Sequence, residues 1–136
     1  MSFGTANALQ AAIYQHLQSD ATLTALVGDA IFDEMPPGPV EGTYLSLGDG
    51  DVRDMSDKTG GIAEHRPVLS VLSDAEGFAL AKTAAAAATD ALLDADLVLA
   101  RGRVVSLTFS KARARRVRAG QVRRIDLTFR AIVEDD

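Results

Sequence analysis

The sequence predicts an α+β domain. It should hold a mainly antiparallel sheet of about five strands, two main helices packed on one face, and a long β-hairpin at its end. Three observations carry this expectation. Apolar residues recur at helical spacing in two separate segments, near residues 8–17 and 78–93. Several other segments alternate apolar and polar residues with a period of two. Strand pairs then follow one another without an intervening helix, which favours antiparallel pairing over crossover units.

The first helix rests on Leu9, Ala12, Ile13 and Leu17, with Thr5 or Asn7 as candidate caps. His16 falls beside this apolar stripe and reads as a boundary residue. Ser19 and Asp20 interrupt the helix. Leu23, Leu26 and Val27 form a second short helical segment that Gly28 ends. Residues 30–32 read as a short strand. Pro36, Pro37 and Pro39 impose a loop, because proline supplies no ladder donor. Residues 43–48 alternate again, with Leu45 and Leu47 inward. Residues 49–61 are polar and glycine-bounded, and read as a mobile loop or the flexible end of a long hairpin.

The next strand covers residues 64–73. Val68, Leu69, Val71 and Leu72 place apolar residues on both parities, which suits a central strand. Ser73 and Glu76 have the spacing of a capping box. An alanine-rich helix then runs through Phe78 and Leu80 to Leu92 and Leu93.

The hairpin spans residues 103–134. Its first arm places Val105, Leu107 and Phe109 on one face. Its second places Ile125, Leu127, Phe129 and Ala131 to match. Between them the apolar pattern gives way to Lys111, Arg113, Arg115, Arg116, Arg118, Arg123 and Arg124. Charges on both parities cannot line a core without a large desolvation cost. An arm of about 13 residues spans about 43 Å, against a radius of gyration of about 14 Å for a domain of this size. The basic end of the hairpin is therefore expected to project into water or onto a partner.

The chain has 136 residues, which suits one domain over its whole length. There is no cysteine, so disulfides and thiolate metal sites are excluded. No apolar run suits a membrane span, and no signal peptide is indicated. Net charge is −5, yet ten of the 14 Lys and Arg residues lie between Arg101 and Arg130. Asp49, Asp51, Asp54 and Asp57 form the acidic counterpart. An acidic total argues against a general nucleic-acid binder, while segregated charge suits a protein that meets other surfaces.

No catalytic pattern stands out. Asp49-Gly50-Asp51 resembles the start of a calcium loop, but its twelfth position is Gly60 rather than a closing Glu. There is no phosphate-binding loop and no nucleophile elbow. No cofactor is expected. The arginine cluster is open to three readings: a solvated hairpin end, a phosphate contact, or an arm that docks on protein. Aromatic residues are absent from it, so bases would find no stacking platform.

Residues 17–33 (Leu17, Asp20, Ala21, Leu23, Ala25 to Asp29, Ile31 to Asp33) precede a proline-rich loop and then Thr43 to Asp49. His65, Val68, Val71, Ser73, Gly77 and the alanine-rich helix follow. Their order and spacing resemble the tail-completion, or tail terminator, proteins of long-tailed bacteriophages and phage-derived gene transfer agents. The resemblance implies a non-enzymatic virion subunit at the head–tail junction, made in the host cytoplasm. It implies assembly with copies of itself into a ring, usually a hexamer. The ring would cap the tail tube, meet the tube protein and a head connector or stopper protein, and let DNA pass without sequence-specific binding. The basic residues would then dock a neighbouring subunit or ring, and Asp49, Asp51, Asp54 and Asp57 would face the channel or tube. Another head–tail connector or minor tail component, or a small nucleic-acid module, would share the composition.

Overall fold

The computed structural model describes residues 2–38, 40–56 and 60–136. A 3-10 turn, Ser2–Thr5, leads into helix α1, Ala6–Ser19. Helix α2, Ala21–Val27, follows at once. The side chain of Asp20 accepts from the amide of Leu23 and so caps α2. Strand β1, Ile31–Phe32, is followed by β2, Thr43–Asp54, and β3, Ile62–Ser73. Helix α3, Ala79–Leu93, precedes β4, Arg103–Val117, and β5, Val122–Glu134.

The five strands form one sheet in the order β1-β2-β3-β5-β4. Only β1 and β2 pair in parallel; the rest is antiparallel. The helices cover one face. Leu9, Ile13 and Leu17 of α1 and Ala81, Ala84, Ala88 and Leu92 of α3 pack there against Leu45, Leu47, Leu69, Val71, Ile125, Leu127 and Phe129. The opposite face is open. Tyr44, Leu72 and Val122 form an apolar patch there, supported by Phe32, Val40 and Val117. β3 is central and packs on both faces, as its pattern predicts.

Four local expectations change. The capping box fails: α3 starts only at Ala79, and Ser73 Oγ accepts from Ala75 N instead. Gly77, at φ +72°, turns the chain between them. Thr5 stands before α1 without capping it, because its hydroxyl bonds to Nε2 of His65 at 3.2 Å. Asp49, Asp51 and Asp54 belong to β2 rather than to a loop, so the hairpin alternative holds up to Asp54. Asp57 lies outside the described residues. Val105 does not share the core face: β4 bulges there, so Val104 faces Val133 and Val105 is half exposed.

Candidate functional site

The basic residues are positioned by β4, by the turn after it and by the first residues of β5. β4 forms an edge of the sheet and is exposed along most of its length. A second bulge at Ser110 reverses its parity. Beyond it, Lys111, Arg113 and Arg115 lie opposite Thr128, Asp126 and Arg124 on the open face. Ala112, Ala114 and Arg116 lie on the helix side, opposite Leu127, Ile125 and Arg123. Simple alternation cannot reveal this reversal.

The hairpin does not stand free of the body. β5 pairs with β3 from Glu134 to Arg123, so the basic end overhangs only by the Val117–Val122 pair and the turn. Arg118 and Ala119 both have positive φ there, and the amide of Gly120 donates to Val117 O at 3.1 Å. Gly120 follows at φ +82°, so three successive left-handed residues turn the chain within the four-residue connection between Val117 and Val122. The expected projecting arm is thus an exposed edge, since the core pattern of β5 reaches almost to its tip.

Side chains that look alike in sequence fall into two groups. Arg123 is half-buried and donates from Nη1 to Ala75 O at 3.3 Å. Arg124 is also half-buried, donating to Asp126 at 2.9 Å and to Ser70 Oγ at 3.3 Å. Arg115 reaches Asp126 at 3.4 Å, and Arg116 reaches Gly120 O at 3.2 Å. Lys111, Arg113 and Arg118 are exposed and, among the described residues, have no ion-pair partner. Arg123 and Arg124 therefore brace the sheet, and Lys111, Arg113 and Arg118 are the cations offered outward.

Asp126 organises the open face. It accepts from Ser70 Oγ at 2.6 Å as well as from the two arginines. Burial alone would raise its pKa; the Ser70 and Arg124 hydrogen bonds and the arginine charges outweigh this and hold it below 3.8. A second carboxylate, Glu64, accepts from Arg66 at 2.6 Å and Arg130 at 2.9 Å. Hydrogen bonding from Arg66, then from Arg130, keeps its pKa low. A shallow groove of about 480 Å³ runs between Gly48, Val68, Lys111, Arg113 and Asp126.

The acidic residues are dispersed. Asp51 lies opposite Arg66, and its neighbour Arg53 lies opposite Glu64. Both stand beyond a bulge at Asp49 and Gly50. A Cβ on Gly50 would sit 2.5 Å from Arg66 O, so the close strand approach requires glycine there. Beside this bulge, a cleft of about 400 Å³ is lined by Phe3, Leu9, Ile13, Val52, His65 and Pro67. His65 is the functional-looking residue that sequence reasoning passed over. It is buried against Thr5, and that burial lowers its pKa from 6.5. Gln10, Asp51 and Arg66 also line the cleft, so it is of mixed polarity, and His65 is held in a structural bond.

The described residues thus form a helix-clad sheet with a bare, charged face and a cationic edge. Residues 11–134 match the family of the tail completion protein gp17. The chain belongs to that family. It is also similar to a chain in the solved structure "Virion of native gene transfer agent (GTA) particle", at 62% identity and a TM-score of 0.91. That likeness covers 98% of this chain and 99% of the other. No curated protein matches. No helix among the described residues is long and apolar enough to cross a membrane.

Proposed function

We propose that this protein is a structural, non-enzymatic virion subunit that ends the tail tube as a ring and joins it to the head. The observation that carries the reading is the likeness to a chain of a gene transfer agent particle, which extends over essentially the whole domain. Membership of the tail completion family gives the role its outline. Copies of the chain associate head to tail around a closed ring, usually of six, between the tube protein and a head connector or stopper. DNA passes through the centre without sequence-specific contact. In such a ring each interface joins two different patches, and the segregated charges suit that need. Lys111, Arg113, Arg115, Arg116 and Arg118 serve docking on a neighbouring subunit or ring, with Arg123 and Arg124 bracing them. The acidic segment with Asp49, Asp51, Asp54 and Asp57 faces the channel or tube, where carboxylates would repel phosphates and keep DNA from sticking.

Deleting the gene in a producing strain tests this by electron microscopy of the particles. Unjoined heads with overlong tails are the expected result. Tails of normal length that lack heads would favour a connector role instead, and normal joined particles would dismiss the role altogether. Arg113→Glu combined with Arg118→Glu should reduce joined particles while leaving the fold intact, because both side chains are exposed and, among the described residues, neither has an ion-pair partner.

A further inference from the structure

The two edges of the sheet carry opposite charge. Before Arg53 the chain contains no Lys or Arg. Asp29, Asp33 and Glu34 flank β1, Glu41 stands at the entry to β2, and all four are exposed. Between Asp96 and Asp126 there is no Asp or Glu, and that stretch supplies all of β4. The strand order puts β1 at one edge and β4 at the other. Among the described residues, none of these four carboxylates has an ion-pair partner, nor have Lys111, Arg113 and Arg118.

Four strand spacings separate the edges by about 19 Å. That exceeds two Debye lengths at physiological ionic strength, each roughly 8 Å. The edges cannot neutralise one another within one chain, so each keeps its charge at the surface.

We propose that the β4 edge of one copy docks against the β1 edge of the next. Lys111, Arg113 and Arg118 then face Asp29, Asp33, Glu34 and Glu41. This rests on the ring reading above and names the two surfaces that build it. The contact is heterologous, and every copy uses both edges once, which a rotation can close. It is made through side chains rather than by extending the sheet. Pro36 and Pro37 follow the short strand β1 closely, and two bulges interrupt the outer edge of β4. Both devices block strand addition.

Charge reversal tests the pairing. One variant carries Lys111→Glu, Arg113→Glu and Arg118→Glu; another carries Asp33→Lys, Glu34→Lys and Glu41→Lys. Produced alone in a strain lacking the native gene, each should lower joined particles about tenfold or more. A chain carrying both sets, or the two variants produced together, should restore the yield. Single-edge variants that assemble normally, or a combined variant that stays defective while folding normally, would overturn the pairing.

The absence of cysteine allows a second, milder check. Particles made with Arg113→Cys and Glu34→Cys in one chain, treated with a short bismaleimide, should yield a ladder of linked chains. A ring visible by microscopy without any ladder would overturn the edge assignment and leave the ring standing. If unmodified particles show no ring at the junction, the ring itself falls.

Discussion

At the scale of single residues, half-buried Asp126 and buried His65 both tie the protein's stability to pH. Arg115 and Arg124 are direct cross-strand neighbours, a like-charge pair that would repel. Asp126 offsets both. Its pKa is depressed on folding, so its stabilising effect is present above 3.8 and is lost as pH falls through the folded value. Asp126→Asn should flatten the acid limb of a plot of melting temperature against pH. Asp126→Ala should cost about 1–3 kcal/mol in urea unfolding, because Ser70 and Arg124 lose their acceptor. His65 adds a separate effect at milder pH. Burial makes the folded chain bind its proton less readily than the unfolded chain does. Its contribution is therefore complete above 6.5 and declines as pH falls toward the lower folded value. Thermal melts of His65→Gln should lose this decline. Nothing in the local sequence marks His65 as buried, since its bond to Thr5 spans 60 positions.

At the scale of elements, the β4–β5 hairpin shows how far a sequence pattern reaches. The repeated Leu-Thr-Phe of Leu107–Phe109 and Leu127–Phe129 makes both arms visible, and Phe109 and Phe129 do meet edge to face at 6.0 Å. Phe129 is fully buried beneath the helices, so Phe129→Ala should cost about 3–5 kcal/mol, read from chemical denaturation. The bulges at Val105 and Ser110 are not legible, because an inserted residue changes which side chains face the core without changing composition. That is why Val105 reads as core when Val104 takes its place, and why the arginines of β4 sort onto faces that counting alone misassigns. The capping box fails for a related reason: Ser73 ends β3, and its hydroxyl also meets Thr43 at 2.8 Å. Long-range pairing overrides a local motif. The turn offers another test. Arg118 and Ala119 occupy the left-handed region at φ +52° and +57°, which costs an L-residue roughly 1–2 kcal/mol each. Arg118→Asn with Ala119→Gly should raise the melting temperature of the isolated domain.

At the scale of the molecule, the α+β class, the antiparallel sheet and the one-sided helix layer were all legible, because each depends on periodicity summed over many residues. The disposition of charge was only half legible. The basic and acidic stretches are plain in the sequence, but strand order decides that β1 and β4 lie on opposite edges. Strand order depends on the crossing made by α3, which no short pattern encodes. If this disposition drives association, raising the salt concentration should weaken contacts between copies and leave the melting temperature nearly unchanged. Sedimentation and calorimetry across a salt series would measure the two separately, and a parallel loss of both would argue against it.

The inner face of α3 has a consequence of its own. Ala81, Ala84 and Ala88 are wholly shielded, and they let the helix backbone lie close against the strands. Because these three positions are fully shielded, a bulkier side chain there would have to push the helix away from the strands. In a saturation library, those three sites should admit little beyond glycine and serine, while the rims of the sheet accept wide change. The interior would then act as a fixed gauge of subunit thickness, and adaptation to new assembly partners would have to be written in the periphery.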